Sequence, residues 1–134
     1  MEHPNATRIR TSWLAAMSGD PVAAGELATD DVVWINDIGA GPWRRLDGLQ
    51  ACGEFALAWQ ELFDFTWTYD VLDACGSEHS VVLVMREHGF ARSHHFDNHT
   101  LYHFTLGPDG RATHIQTYDR DRDAIIAFWE AIGP

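Results

Sequence analysis

The stretch Phe96–Asp119, FDNHTLYHFTLGPDGRATHIQTYD, decides the fold class of this 134-residue chain. It contains an aromatic-rich run that ends at Leu106, the sequence GPDG at 107–110, and a second run over 111–119. Aromatic and β-branched residues favour strands, and a Gly-Pro-Asp-Gly sequence favours a tight turn. The stretch therefore predicts two antiparallel strands that are joined by a short turn.

The sequence on both sides of this hairpin predicts the other elements. Apolar residues at three-and-four spacing indicate helices, and short β-branched or aromatic runs indicate strands. The predicted helices are Asn5–Ser18, Pro21 to about Ala28, Asp47–Phe63 and Asp121–Ile132, and the predicted strands are Val32–Ile35, Phe65–Leu72, Ser80–His88, Phe96–Leu106 and Arg111–Asp119. This order predicts an α+β domain with an antiparallel sheet, and a long helix across the concave face of that sheet encloses a pocket.

Composition narrows the class of protein. Apolar residues make up 46% of the chain, which fits a folded globular domain, and 9 Lys+Arg against 20 Asp+Glu give a net charge of −11. This acid excess argues against nucleic-acid partners and anionic membranes. No apolar run is long enough for a membrane span, and the start lacks the pattern of a signal peptide. With Cys52 and Cys75 as the two cysteines, we expect free thiols and a cytoplasmic location.

Four segments carry a resemblance to a known superfamily: WLAAMSGD at 13–20, LATDDVVWIN at 27–36, LDGL at 46–49, and PDGR at 108–111 with YDR at 118–120. In order and spacing they resemble the nuclear transport factor 2-like superfamily, and within it the SnoaL-like polyketide cyclases and the ketosteroid-isomerase-like proteins. The resemblance implies one SnoaL-like domain over residues 1–134. Such a domain is a cone-shaped half-barrel, a curved antiparallel sheet wrapped on a long helix, with its pocket between sheet and helices.

Three positions that carry catalytic groups in the ketosteroid-isomerase-like members hold other residues here. Trp13 stands at the position of their oxyanion-donating tyrosine, and its indole N–H donates a hydrogen bond but is not an acid near pH 7. Asn36 stands at the position of their aspartate base, with Asp37 beside it, and Thr100 stands at that of their second oxyanion acid. The resemblance therefore does not imply steroid isomerisation by that mechanism.

The epoxide-hydrolase members of the superfamily offer a second comparison. Trp34 and Asn36 partly match the aromatic residue and the asparagine that hold the attacking water, and REH at 86–88 stands where an Arg-x-Asp pair would be. Thr117 stands at the position of their last aspartate, and Asp119 lies two residues further on. SnoaL-like cyclases, by contrast, typically use a His and an Asp to move protons without a cofactor, and this sequence supplies both.

Strand alternation sorts the candidate catalytic residues. Arg86 and His88 share one face of their strand, and Asp119 shares a face of the last strand with Thr117. If both faces line the pocket, His88 and Asp119 meet across it and form an acid/base pair. We therefore predict Asp119 and His88 as catalytic, with Arg86 and Asn36 stabilising or orienting charge. The structural alternatives are a helix cap, a surface histidine, an ion pair and a backbone partner, respectively.

These residues predict a cofactor-independent enzyme that binds a hydrophobic, polyketide-like molecule. It would catalyse cyclisation, dehydration or isomerisation in secondary metabolism. Predicted substrate-binding residues are Trp13, Trp34, Asp37, Trp59, Thr100, Tyr102 and Thr117. The alternatives are an epoxide hydrolase or epoxide-opening cyclase of the limonene-epoxide-hydrolase type, and a non-catalytic small-molecule binding module.

A cluster of histidines needs a separate interpretation. The cluster consists of His88, His94, His95, His99 and His103. Imidazoles suit zinc or iron, but the cluster has no His-x-His spacing, so we predict no metal site and keep a metal-dependent enzyme as an alternative. We expect several of these side chains on the convex face of the sheet, where members of the superfamily often dimerise. The predicted homodimer should weaken below about pH 6, where imidazoles become charged.

Overall fold

Four α-helices and six β-strands make up the computed structural model over the residues that it describes, 2–36 and 41–132. The helices are α1 (Pro4–Met17), α2 (Pro21–Leu27), α3 (Leu49–Leu62) and α4 (Arg122–Ile132). The strands are β1 (Ala28–Asn36), β2 (Arg45–Asp47), β3 (Thr68–Gly76), β4 (Ser80–Ala91), β5 (His94–Leu106) and β6 (Ala112–Asp119), and a 3-10 turn covers Gly41–Arg44. The predicted α+β class is confirmed, and β2 is the strand that the sequence analysis did not include.

Side-chain caps explain where two of the helices begin. The carboxylate of Asp20 accepts hydrogen bonds from the backbone N–H groups of Val22 and Ala23, at 3.0 and 3.3 Å. Pro21 follows as the first helical residue, where its missing N–H costs nothing. The carboxylate of Asp121 accepts from the N–H of Ala124 at 3.0 Å, at the start of α4. Both predicted caps are confirmed, because capping depends on neighbouring residues alone.

The six strands form one curved sheet in the order β2-β1-β6-β5-β4-β3. All neighbours are antiparallel except β1 and β6, which run parallel. The predicted antiparallel sheet is therefore confirmed apart from this one pair, whose parallel direction was not predicted. The meander β3 to β6 ends beside β1, and a long connection with α3 and four strands joins these two parallel strands in the chain.

The alternation of burial along β4 identifies the concave face of the sheet. Val81, Leu83 and Met85 are fully buried, whereas the intervening Val82 and Val84 are partly exposed. The ring of Trp13 packs on the buried side, with rings of three strands at centroid distances of 4.8–5.7 Å: Trp34, Tyr69, Tyr102 and Phe104. The core thus lies between the concave face and the helices, so odd-numbered residues of β4 point inward.

No helix within residues 2–36 and 41–132 has the length and apolar character needed to cross a membrane. Cys52 is a buried free thiol on α3, and Cys75 is an exposed free thiol on β3. Burial raises the pKa of Cys52 to about 11, so this thiol is un-ionised at neutral pH and lacks the character of a nucleophile.

Candidate functional site

A cavity of about 50 Å³ lies between the concave face of the sheet, α3 and α4. One part of its lining is aromatic and apolar and comes from helices and strands, and the other part is polar and comes from the sheet. The first group comprises Phe55, Trp59, Trp67, Tyr69, Phe96, Ile125 and Trp129. The second comprises Asn36, Glu87, Thr100, Tyr102, Thr117 and Asp119. The polar residues come from β1, β4, β5 and β6, so sheet pairing gathers side chains that are far apart in the sequence.

Glu87 is the most deeply buried acid of this cavity, with 5% of its surface exposed. The hydroxyl of Tyr102 donates a hydrogen bond to its Oε1, and the hydroxyl oxygen of Thr100 lies 3.3 Å from its Oε2. Burial raises the pKa of Glu87 to about 8, and the negative charge of Asp119 adds to this effect against the hydrogen bonds from Tyr102 and Thr100. Glu87 is therefore mainly protonated at neutral pH.

Thr100 connects the two acids of the cavity. Its hydroxyl oxygen lies 3.0 Å from Oδ1 of Asp119 as well as 3.3 Å from Oε2 of Glu87. A hydroxyl group has one proton and can also accept, so a protonated Glu87 donates to Thr100 while Thr100 donates to Asp119. The side-chain amide of Asn98 also lies 3.5 Å from Oδ1 of Asp119. The arrangement is a short chain of hydrogen bonds that links two carboxyl groups through one hydroxyl group.

Two tyrosines flank this chain, the buried Tyr102 and the partly buried Tyr69. Tyr102 lies beside Thr100 on the inner face of β5, and Tyr69 lies opposite Glu87 on β3. Burial, together with the charge of Glu87, raises the pKa of both phenols well above the ordinary value. Both therefore stay neutral at physiological pH, and Tyr102 acts as a hydrogen-bond donor to Glu87 rather than as an acid.

Arg86 and His88 lie on the convex face, not in the cavity, so the predicted meeting of His88 with Asp119 is wrong. The guanidinium of Arg86 donates two hydrogen bonds to Asp97, at 2.8 and 2.9 Å. Nε2 of His88 lies 3.0 Å from the carboxylate of Asp70. The physical reason is the alternation of β4, in which even-numbered residues point outward. Arg86 forms the ion pair that was its structural alternative, whereas His88 is partly buried in contact with Asp70.

Glu87 was not among the predicted residues, because the prediction placed the opposite face of this strand, with Arg86 and His88, toward the pocket. One signal could have found it. Glu87 continues the series Val81, Leu83, Met85 at a spacing of two, and this series is bulkier than Val82 and Val84. A carboxyl group in register with the more apolar side of a strand is a candidate for a buried acid.

The remaining predicted polar residues meet in the cavity. Asp119, Thr117, Thr100 and Tyr102 all line it, as does Trp59 from the side of α3. The hydroxyl groups of Thr100 and Tyr102 form hydrogen bonds in the acid chain described above, whereas Thr117 contacts β1. Its hydroxyl lies 3.4 Å from Oδ1 of Asn36. These residues therefore occupy the positions that the sequence analysis expected, while their catalytic and binding roles stay predictions.

The other four predicted residues are Asn36, Trp13, Trp34 and Asp37, and they do not all line the cavity. Asn36 lines the cavity, but its amide also donates to the backbone oxygen of Trp43 at 2.9 Å and so supports local structure. Trp13 and Trp34 are buried in the core and line a separate groove of about 1080 Å³ between α1, α2 and α3. Their indole N–H groups have no hydrogen-bond partner within the described ranges. Asp37 lies outside the described residues.

The histidines do not form a metal centre in the part of the chain that is described. Within residues 2–36 and 41–132, no three His, Cys, Asp or Glu side chains are grouped so that they could hold a metal ion. Strand register instead spreads His95, His99 and His103 along the convex face of β5, with His88 beside them on β4. These side chains therefore belong to the surface opposite the cavity.

Comparisons with known proteins identify the fold. No protein-family model and no curated protein sequence matches the chain. Bal32a from a soil-derived mobile gene cassette superimposes with a TM-score of 0.83 and 20% identity, over 93% of this chain and 95% of that one. TerC co-crystallised with polyporic acid gives 0.76 and 18%, over 97% and 98%. A nuclear transport factor 2-like protein from Burkholderia xenovorans LB400 gives 0.74 and 19%, over 95% and 97%.

At these identities the likeness is one of fold, and it extends over nearly the whole of both chains in each comparison. It agrees with the curved six-stranded sheet, with α3 across its concave face, and with a cavity between sheet and helices. The chain therefore has the nuclear transport factor 2-like fold, an α+β cone-shaped half-barrel.

Proposed function

We propose that the protein is an acid/base enzyme that moves protons on a hydrophobic small molecule, as in a cyclisation, dehydration or isomerisation. One observation carries the proposal. Glu87, Thr100 and Asp119 form a hydrogen-bonded chain on the polar side of a cavity whose other side is aromatic. Glu87 replaces His88 as the partner of Asp119, and the proposed step uses protein groups alone.

The chain supplies both halves of a proton transfer. Asp119 takes a proton from a carbon or oxygen of the substrate, and protonated Glu87 gives one to a second atom of the substrate. The pair then holds a protonated Asp119 and an ionised Glu87. Thr100 restores the starting state, because it accepts the proton of Asp119 while it passes its own to Glu87. A carboxyl group with a pKa near the working pH suits both giving and regaining a proton.

The lining of the cavity supports an apolar substrate. Aromatic rings from α3, β5 and α4 surround the space, among them Phe55, Phe96 and Trp129. A cavity of about 50 Å³ holds a few heavy atoms, so the reacting part of a substrate enters it and the body of a larger one lies outside. TerC, which shares the fold, was co-crystallised with polyporic acid, and this supports the idea that the fold accepts small organic ligands.

Epoxide opening is the second candidate, and a specific contact favours it. Asn36 and Thr117 lie 3.4 Å apart beside Asp119 on the same side of the cavity. An amide and a hydroxyl in that position can hold a water molecule, which Asp119 would activate as a base. This mechanism makes Asp119 essential and Glu87 dispensable, so the two candidates differ in the expected behaviour of Glu87→Gln.

Proton exchange on a simple aromatic ketone tests the proposal without knowledge of the natural substrate. The probe is 2-indanone in D₂O, and the measurement is the loss of its α-proton signal by NMR. We expect exchange that is faster than in buffer, and a fall of about 10² or more in Asp119→Asn. Glu87→Gln should also lower the rate and flatten its pH profile.

Asp97→Asn is the matched control for this assay, because it changes a carboxylate of the convex face. Its exchange rate should equal that of the unchanged protein. Equal rates in the unchanged protein and Asp119→Asn would contradict the acid/base proposal and favour a binding module. Loss in Asp119→Asn with full activity in Glu87→Gln would favour the epoxide-opening candidate.

We also propose that the protein forms a homodimer through the convex face of the sheet. Val84 and Leu101 are half-buried there, and the rings of Phe90 and Tyr118 are about half exposed. An apolar strip of this kind on the open side of a sheet is typical of a surface that pairs with another molecule. A second copy of the chain, meeting the first through the same strip, would cover these side chains on both molecules.

A further inference from the structure

We propose that the cavity receives a positively charged group of its substrate, a protonated or methylated ammonium. The inference rests on the proposed function, since it names the substrate class of the same site. It is carried by three features of the cavity: aromatic walls, carboxyl groups at its polar side, and a volume that matches a small ammonium group.

The aromatic wall is the first feature. Rings from α3, from the segment just before β3 and from α4 meet at steep angles rather than in stacks. Trp59 and Trp67 have ring centroids 5.0 Å apart at 89°, and Trp59 and Trp129 have centroids 5.5 Å apart at 64°. The π-face of an aromatic ring carries partial negative charge and attracts cations, most strongly for tryptophan. Three tryptophans around one small space therefore favour a cation over a neutral group of equal shape.

The charge of the lining is the second feature. Its described residues include two acids, Glu87 and Asp119, and no Lys, Arg or His. The basic residues that flank Glu87 in the sequence point to the other face of the sheet, where Arg86 contacts Asp97 and His88 contacts Asp70. The cavity thus has negative potential, which burial strengthens because little water screens it. An anionic substrate group would be repelled.

The volume is the third feature. About 50 Å³ accommodates roughly three to five water molecules, which is the scale of a group of about four heavy atoms. A trimethylammonium group has four heavy atoms and no hydrogen-bonding proton, so it fits an aromatic space without leaving a polar group unsatisfied. A tert-butyl group has the same shape and no charge, so the two groups differ in charge alone.

The protonation of Glu87 links binding to pH. The groups that face this side chain are Tyr69 on β3, Thr100 and Tyr102 on β5, and Asp119 on β6. A bound cation stabilises the ionised form of Glu87, and by reciprocity ionisation of Glu87 strengthens the binding of the cation. Because the pKa of Glu87 is about 8, the affinity for a cation should rise between pH 6 and pH 9.

Three small molecules of one shape test the proposal: choline, 3,3-dimethylbutan-1-ol and 3,3-dimethylbutanoate. Their head groups are a trimethylammonium or a tert-butyl group, and their net charges are positive, zero and negative. Binding is measured by calorimetry and by quenching of tryptophan fluorescence at pH 6 and pH 9. We expect choline to bind at least about tenfold more tightly than the alcohol at pH 9, and the anion to bind least. The preference should be smaller at pH 6.

In Glu87→Gln, the binding of choline should no longer depend on pH, and neither should that of the other two molecules. Asp97→Asn should leave the affinities for all three molecules unchanged. Circular dichroism checks that each variant is folded, and Trp59→Leu is a second test that does not alter an acid. It should reduce the preference for choline over the alcohol several-fold.

Equal or tighter binding of the alcohol or of the anion would overturn the assignment. So would a preference for choline that persists unchanged in Glu87→Gln and Trp59→Leu, because the cation would then bind elsewhere. These outcomes are separable from failure of the proposed function. If 2-indanone exchange still depends on Asp119 and Glu87, the acid/base function stands and only the substrate class falls.

Discussion

Carboxyl side chains on the two faces of the sheet have pKa values that are shifted in opposite directions. On the convex face, Asp97 accepts two hydrogen bonds from Arg86, which hold the pKa of this carboxyl below its usual value. On the concave face, burial raises the pKa of Glu87 to about 8. Arg86 and Glu87 are consecutive in the chain, so a single step along β4 separates a solvated ion pair from a buried acid.

The difference shows that surroundings, rather than residue type, decide which carboxyl groups can do chemistry. A carboxyl group that is paired with a guanidinium stays ionised near pH 7, because the positive charge lowers its pKa. A buried acid that is bridged through a hydroxyl to a second acid exchanges its proton readily. The catalytic assignment therefore rests on which face a residue occupies.

Removal of a large ring from each face should give the largest effect. Trp13→Ala deletes a fully buried side chain against the concave face and should lower the free energy of unfolding by about 3–5 kcal/mol. Phe90→Ala deletes a ring of the convex face that is 53% exposed, and the cost should stay below about 1 kcal/mol. Urea unfolding measures both. A large loss in Phe90→Ala would show that this ring is buried against another molecule.

The pH dependence of stability should distinguish the two carboxyl groups next. In the unfolded chain Glu87 titrates near its ordinary pKa of 4.5, and in the folded state near 8, so the folded state binds the extra proton between these values. The free energy of unfolding should therefore fall by about 3 kcal/mol from pH 5 to pH 8. Glu87→Gln should remove most of this fall, as urea unfolding at each pH will show.

Asp97→Asn is the control with the opposite sign. The lowered pKa of Asp97 stabilises the folded state above the ordinary value and loses that contribution as the pH falls through the lowered one. Between pH 5 and pH 8 the carboxylate is ionised in both states, so this variant should keep the full decline that Glu87 causes. A decline that disappears in Asp97→Asn but persists in Glu87→Gln would contradict the assignment of the buried acid.

Local patterns in the sequence are sufficient to predict most of the helices, strands and turns. Asp20 and Asp121 act on N–H groups two or three residues away, and GPDG at 107–110 forms its turn from its own residues, so both kinds of feature can be predicted from a short window. The parallel pairing of β1 with β6 joins residues about 80 positions apart, and no local pattern specifies it. The parallel direction of this one pair could not be predicted for that reason.

Some residues of the cavity lining could be predicted from the sequence, but the inward face of β4 could not. Thr100, Tyr102 and Asp119 were placed in the pocket because the resemblance and the period of two agree on their faces. For β4 the two faces are both apolar, with Val82 and Val84 opposite Leu83 and its neighbours, so alternation alone left the choice open. The contact of Glu87 with Thr100 depends on strand register across thirteen residues, which the sequence pattern does not encode.

The pH dependence of dimerisation should be the smallest of these effects, and it depends on the convex face alone. Nη1 of Arg120 donates to Nδ1 of His99 at 3.2 Å, and a proton on that nitrogen would abolish the bond and place two positive charges side by side. His103 lies on the same face of β5, and His88 lies beside Asp70 on the neighbouring strands β4 and β3.

Imidazoles in general become charged as the pH falls toward 6, so two copies that meet through this face should repel each other below about pH 6. We expect the dissociation constant of the dimer to rise roughly tenfold between pH 7.5 and pH 5.5. Size-exclusion chromatography over a range of protein concentrations measures this rise. His99→Gln keeps an acceptor for Arg120 without the charge and should weaken the pH dependence, while Glu87→Gln should not. An elution volume that is the same at both pH values would show that the convex face does not join two copies.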